Sequence, residues 1–351
     1  MVSSKKLNIV LDIGKTNVKL TFVDSFNNKT IKFFKTKQKL IKKTKYILNY
    51  PQYIVWKLTS SFSSEISYVG CHTHLWDFKR NKLSSFVKKI KLEKKFPQIR
   101  KAWDTIGRKQ IGESNLKIIN GIHDSNASYL YFKNSDIKNF TLVSTGTWYI
   151  IFNQKTPLKS LNPSLDMLAN IDVFGKPVPT MRFMGGREYD HLMGVFKISN
   201  KTRAIKNFSF HDYLIYPSYA SGGGFSINKI NIGFYEGLNK GQIYYLICLY
   251  ISFVINFCLN QMRSSNTIIL DGPITKNITI MKILSSLRKK QIVLKNKREI
   301  GTTLGATNLF NIKMENKLQT VVIKKYQNQS LQAIYKKWER NLYEKELFRH
   351  S

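Results

Sequence analysis

Two short segments of this chain share one layout, and that repetition limits the fold more than any other feature of the sequence. Residues 7–25, LNIVLDIGKTNVKLTFVDS, read as strands at 7–11 and 18–23 joined by a tight turn at Gly14. From residue 140, FTLVSTGTWYIIFN predicts strands at 140–143 and 148–153 around a Ser-Thr-Gly-Thr turn. A turn of small hydroxyl residues and glycine lets several backbone N–H groups and hydroxyls converge on an anion, because no bulky side chain keeps a phosphate away. Two such hairpins predict two halves of similar architecture clamping one ligand. At 351 residues the chain is long enough for two cores, and the boundary is expected within 133–139, giving domains 1–138 and 139–351.

Between the hairpins, GIHDSNASYL places Asp124 at the start of a helical segment, where the helix dipole favours an ionised carboxylate. An ionised base is what abstraction of a hydroxyl proton requires, although a plain helix cap accounts for the same residue. Asp12 closes the first strand. Beside a glycine turn it is suited to hydrated Mg²⁺ while Lys15, Thr16 and Asn17 face a phosphate; an incidental Asp at a common hairpin is the other reading. Upstream of Asp124, SEISYVGCHTHLWDF looks like a strand ending in a polar and aromatic cluster, in which His72 and Trp76 are candidates to face a polar substrate. A plain cross-strand pair is the alternative. Cys71, His72 and His74 are candidate metal ligands, but two ligands on alternate strand positions with no third partner nearby do not complete a metal site.

The remaining elements alternate between strand and helix. Residues 46–58 predict a helix with Pro51 in its first turn, 82–95 a basic amphipathic helix, and 96–112 a loop leading to a strand at 116–119. FMGGREYDHL opens a helix after a glycine turn, and TIILDGPITKN followed by a helix at 278–289 is the strand, turn, helix layout that admits a nucleotide at the carboxyl end of a sheet. Gly305 and Ala306 permit close helix packing, and Leu331, Ile334, Tyr335, Trp338 and Leu342 mark a C-terminal amphipathic helix. Residues 241–262 are apolar enough to be weighed as a membrane span. Asn256 and Ser252 fall inside the stretch, so the buried helix of an α/β domain is expected instead.

The formal charge of +36 would ordinarily suggest nucleic acid or an anionic membrane. Yet 46 of the 57 basic residues are Lys, scattered among Ile and Asn rather than gathered into one arm, which fits compositional drift. Neither nucleic acid nor membrane is expected as a partner. Three cysteines without a CxxC pair, and an N-terminal apolar run cut by Asp12 and Lys15, fit a reduced cytoplasmic setting without an export signal.

In order, LDIGKTNVKL, GIHDSNASYL, VSTGTW, FMGGREYD, LDGPITKN and GTTLGATN resemble the FGGY family of carbohydrate kinases, within the actin and hexokinase superfamily of ATPases. The resemblance runs from Leu7 to about Phe310, and HDSNAS and STGTW resemble the rhamnulokinase and fuculokinase branch. It implies an α/β fold of two ribonuclease-H-like domains with an interdomain cleft, and an ATP-dependent kinase acting on a ketose sugar such as a rhamnulose, fuculose or xylulose. Asp12, Gly14, Lys15, Thr16 and Asn17 then match the first phosphate motif, with Asp12 next to Mg²⁺. Asp124 matches the base and His123 a sugar contact; Ser144, Thr145, Gly146 and Thr147 match the second phosphate motif. Gly272 and Asn277 match the adenosine motif, although Asp271 stands where the family often has a further glycine. The implied partners are ATP and a small-molecule sugar, with a homodimer as the assembly to look for. Before SEISYVGCHTHLW the chain is much shorter than its relatives, so the competing expectation is a degenerate relative that binds nucleotide or sugar without transfer.

Overall fold

The computed structural model describes residues 7–13, 18–24, 30–34, 44–71, 73, 75–297, 301–325 and 330–348, the first three segments as backbone only. The chain divides into two compact units: one takes the residues up to Asn134 with Ala169–Val178 and Thr302–Glu315, the other Ser135–Leu168, Pro179–Gly301 and Asn316 onward.

The first unit contains the N-terminal hairpin, β1 (Leu7–Ile13) and β2 (Val18–Asp24), with β3 (Thr30–Phe34) and a two-residue β4 (Ile47–Leu48). These form a sheet in the order β3-β2-β1-β4. The β1–β2 and β2–β3 pairings are antiparallel and β4 runs parallel to β1, with Ile9 opposite Ile47. Helix α1 (Tyr50–Thr59) follows at once, with Pro51 in its first turn, where the missing N–H is not needed, and Ser60 left-handed at its end.

Three expectations fail between residues 64 and 112. Residues 64–69 are not a single strand: a two-residue β5 (Ser64–Glu65) turns into the short helix α2 (Ile66–Val69). The buried Glu65 carboxylate causes this by accepting the N–H groups of Ser67 at 2.9 Å and Tyr68 at 3.1 Å, a cap that outweighs β propensity. After the small hairpin β6 (Trp76–Asp77) and β7 (Lys82–Leu83), residues 82–95 are not one helix either. Helix α3 (Ser85–Lys89) stops at Lys91, which has φ 57°, and a 3₁₀ turn follows at Glu93–Lys95. Beyond β8 (Ile99–Arg100), the expected loop is a strand paired with the one predicted: β9 (Thr105–Ile111) and β10 (Ser114–Ile119) form a hairpin turned at Gly112. Helix α4 (Asp124–Lys133) carries Leu130 into a core with Ala102, Val173 and Leu309.

The second unit is built on a seven-stranded sheet. Its strands are β11 (Phe140–Thr145), β12 (Tyr149–Phe152), β13 (Met167–Ile171), β14 (Pro177–Phe183), β15 (Thr267–Asp271), β16 (Val293–Asn296) and β17 (Thr320–Val322), in the order β13-β14-β12-β11-β15-β16-β17. The β11–β12–β14 pairings are antiparallel, and β15 and β16 continue parallel to β11. Helices α5 (Gly185–Val195), α6 (Lys240–Gln261), α7 (Ile278–Leu287), α8 (Gly301–Thr307) and α9 (Leu331–Glu344) follow in chain order, α8 from Thr302 onward being part of the first unit. The apolar α6 is a core helix: residues from Tyr245 to Leu259 are buried, and Asn239 and Gln242 close its start as a reciprocal capping box. Trp338 of α9 packs on Phe253 and donates its Nε1–H to the Ile215 carbonyl at 2.8 Å.

Candidate active site

Strand β11 ends at Thr145, and this residue joins two turns of the second unit. Its buried hydroxyl donates to the Asp271 carbonyl at 2.6 Å and accepts the Ile274 N–H at 3.2 Å. Gly272 lies against the same strand end with φ 84°, and a Cβ there would fall on the Thr145 carbonyl oxygen. Gly186, in the first turn of α5, approaches the Gly146 carbonyl so closely that a Cβ would overlap it. Three backbone segments therefore converge because glycine stands at two contacts and a threonine hydroxyl bridges the third.

The convergence walls a cavity of about 1050 Å³. Gly146 and Thr147 line one side, the start of α5 with Gly186, Arg187 and Tyr189 another, and Pro273–Asn277 with Tyr244 a third. Thr147 and Arg187 are exposed, so a hydroxyl and a guanidinium face incoming ligand. Lys276 adds a second cation and Asp190 the carboxylate among the lining residues. Asn277 caps α7 by accepting the Ile280 N–H at 3.0 Å, and its amide donates to the Tyr244 hydroxyl at 3.0 Å. Behind them burial pushes the Cys248 thiol up to about 12 and raises the phenols of Tyr189 and Tyr244, so these groups stay neutral near pH 7. The cavity is lined by glycine backbone, cations, aromatic rings and an amide, a mixture suited to a nucleotide.

In the first unit, Asp124 is the first residue of α4, with its side chain 80% exposed. Its Oδ1 accepts the Ser125 N–H at 2.6 Å and lies 3.2 Å from His123 Nδ1. His123 is the residue before the helix. Its half-buried ring meets Tyr68 edge-on at 4.8 Å, and its backbone N–H donates to the Ser67 hydroxyl at 3.2 Å. Burial lowers its pKa, against an opposing pull from Asp124, so the ring is neutral near pH 7.

Residues 137–319 match carbohydrate kinase FGGY, C-terminal domain, over more than half of the chain. The chain belongs to the FGGY family of carbohydrate kinases, which are phosphotransferases. Among solved structures, this FGGY chain is similar to a carbohydrate kinase from Novosphingobium aromaticivorans, at 26% identity and TM-score 0.70, covering 84% of this chain and 69% of that one. It is also similar to a ligand-bound xylulose kinase from Lactobacillus acidophilus, at 14% identity and TM-score 0.66, covering 88% and 69%. A third likeness is to a Plasmodium falciparum glycerol kinase with ADP, at 13% identity and TM-score 0.59, covering 85% and 66%. The FGGY chain thus spans about two-thirds of the length of these proteins. A search of curated proteins found no match. The fold is that of the family, α/β with two ribonuclease-H-like domains.

The predicted site residues of this FGGY protein fall into three groups. Gly146 and Thr147 meet Asn277 at the cavity, while Thr145 and Gly272 hold its walls from behind. Ser144 is one step back, paired in the sheet with Ile150 and Asp271. His123 and Asp124 are adjacent in the first unit. Trp76 is buried in that unit's core with Val87 and Leu92; its Nε1–H has no partner among the described residues, and it borders a separate cavity of about 540 Å³ with Ile66, Phe96 and Ile99. Gly14, Lys15, Thr16, Asn17 and His72 lie outside the described residues, and for Asp12 only the backbone in β1 is described. The sequence reading assigned no role to Gly186, Arg187, Tyr189, Tyr244 or Lys276. The signal was present for three of them: the paired glycines of FMGGREYD open a helix, whose first N–H groups suit an anion.

Proposed function

We propose that this chain is an ATP-dependent kinase that transfers the γ-phosphate to a hydroxyl of a ketose of the rhamnulose, fuculose or xylulose kind, with Asp124 as the general base. The supporting observation is the second unit's cavity, in a domain that matches the family. Glycine at 186 and 272 leaves backbone where any Cβ would collide, and Arg187 and Lys276 bring positive charge to the cavity beside it. Such residues fit a nucleoside triphosphate. The reading takes 1–138 and 139–351 as the two domains, a cytoplasmic setting, and neither nucleic acid nor membrane as partner.

Phosphoryl transfer through a loose transition state asks little covalent chemistry of the protein. Its residues position the reactants and offset charge on the phosphate oxygens. Asp124 accepts the proton of the attacking alcohol at a carboxylate oxygen; Gly146 and Thr147 hold the phosphate end; Asn277 and Tyr244 hold the base end; His123 contacts the sugar. Mg²⁺, held by way of Asp12, would offset phosphate charge when bound.

The test is turnover of a ketose panel by the purified chain with ATP and Mg²⁺. Phosphorylation of at least one ketose that disappears in Asp124→Asn is the expected result. A second reading, a relative that binds without transfer, is favoured by the two-residue β4 and the four-stranded sheet of the first unit. Stabilisation by ATP with no turnover on any sugar would select it.

A further inference from the structure

Arg288 ends α7 in the second unit, and its guanidinium is sunk into the protein without an acidic partner in contact. One terminal nitrogen donates to the Asn256 carbonyl at 3.0 Å, while the buried Nε–H has no partner among the described residues. Burial lowers its pKa to about 10 against the pull of Tyr335 and Glu339, so the group stays charged near pH 7. Glu339 itself accepts the Tyr335 hydroxyl at 2.7 Å. A helix C-terminus attracts cations, but exposed ones satisfy it; a guanidinium held below the surface with idle donors is costly unless an anion meets it. A cavity of about 540 Å³ opens at this place, lined by Arg288, Lys289 and Lys290, by Asn256 and Asn260 of α6, and by Gln332 of α9. No carboxylate is among its described lining residues. Lys289 and Lys290 are exposed, and Lys325 donates to the Lys289 carbonyl, which brings a further cation to the rim.

We propose that this cavity is a second small-molecule site, taking a phosphate monoester of a polyol or sugar, with Arg288, Lys289 and Lys290 on the phosphate and the Asn260 and Gln332 amides on the hydroxyls. A guanidinium fork matches two phosphate oxygens, and the two ammonium groups add charge without fixing direction. Asn260 commits its Nδ2 to the Tyr335 hydroxyl at 3.2 Å, which turns its carbonyl oxygen into the acceptor left for a ligand hydroxyl. The site is separate from the nucleotide cavity. Asn277 at the start of α7 lines that cavity and Arg288 at the end lines this one; ten residues at 1.5 Å each put about 15 Å between them, and the two share no lining residue. Binding here does not depend on phosphoryl transfer at the other cavity.

The test is calorimetric titration of the full chain with sorbitol 6-phosphate, sorbitol and inorganic phosphate in turn. Sorbitol 6-phosphate should bind at one site, inorganic phosphate about tenfold more weakly for want of the hydroxyl contacts, and sorbitol not at all. Arg288→Gln should weaken sorbitol 6-phosphate about tenfold or more, as for lost charge-assisted hydrogen bonds. The pair Lys289→Gln and Lys290→Gln, made together at exposed positions that leave the fold intact, should weaken it about threefold. Arg187→Gln, in the other cavity, should leave the affinity unchanged. No binding of sorbitol 6-phosphate at millimolar concentration, or an affinity that neither the Arg288 variant nor the lysine pair alters, overturns the proposal. Inorganic phosphate binding as tightly as the ester would reveal an adventitious ion only, and loss of binding in Arg187→Gln alone would assign the ester to the nucleotide cavity; either result also overturns it.

Discussion

The two sheets share a plan and differ in how far it is carried. In the first unit the order β3-β2-β1-β4 pairs antiparallel, antiparallel, then parallel, and β4 is two residues long. In the second, β14-β12-β11-β15 repeats the same order and the same senses, β15 is five residues long, and β16 and β17 extend the sheet further. The difference matters because the parallel strand beside the hairpin supplies the second turn of a site. In the second unit β15 carries Asp271 and Gly272 to Thr145, and the 22-residue α6 is the spine of the core. In the first unit β4 gives way directly to α1, and the side chains described there pack in two smaller clusters. In the proposed reaction the second unit holds the phosphates and the first supplies the Asp124 carboxylate from a helix start.

If that division of labour is right, the halves separate cleanly under mutation. Asp124→Asn should lower kcat about a hundredfold or more by removing the base, while ATP still raises the thermal midpoint as in the wild type. Loss of the ATP-induced shift in this variant would show that the two halves do not divide the work as drawn. A nearly comparable effect should appear on stability of the first unit alone. Burial raises the Glu65 carboxyl to about 7, against opposing hydrogen bonds from Ser67 and Tyr68. The folded pKa is above the unfolded value near 4.5, so stability is full below about 4.5 and is lost as pH rises to about 7. The difference amounts to about 3 kcal/mol. Calorimetry between pH 5 and 8 should show one transition falling as pH rises, and Glu65→Gln should flatten that dependence without moving the other transition.

The second unit was legible because its signals are local. The strand, glycine turn, strand pattern at 140–153, the turn at Gly272 and the apolar run of α6 each state their structure within a dozen residues. The seam between them was not legible. Thr145 reads as a phosphate ligand in sequence, but its hydroxyl is committed to Asp271 and Ile274, residues more than a hundred positions away. In the first unit the errors came from caps and breaks. Glu65 turns a strand-like sequence into α2, and Lys91 in a left-handed conformation cuts a basic helix short; neither effect follows from periodicity. Trp76 reads in sequence as part of a polar and aromatic cluster facing substrate with His72, whereas its side chain is packed beside Val87 in the core.

A smaller effect should come from a single methyl group in the platform. Gly186→Ala puts a Cβ onto the Gly146 carbonyl, and since the obstacle is backbone, the turn or the start of α5 must move. The expected cost is about 1–3 kcal/mol of second-unit stability with weaker ATP binding, read as a lowered transition in the same calorimetric scan. Gly194→Ala is the matched control on the same helix, because a Cβ there meets nothing within 4 Å. A gain in both variants would mean that helix propensity, which favours Ala over Gly, and not the Gly146 contact sets the response.

The least effect is expected from charge, and it bears on whether the +36 of the chain does anything specific. Arg187 is an exposed cation on the cavity wall, whereas Lys94 is exposed beside a cluster of other lysines in the first unit. Arg187→Gln should raise KM for ATP by about twofold to fivefold, since a screened surface charge is worth little even against phosphate, and leave kcat nearly unchanged. The effect should shrink as ionic strength rises, because a solvent-exposed charge is screened within about 8 Å at physiological salt. Lys94→Gln removes the same charge from the other unit and should change neither constant. If the two variants raise KM alike, the whole surface attracts ATP by its net field, and the platform's cation has no place of its own in binding.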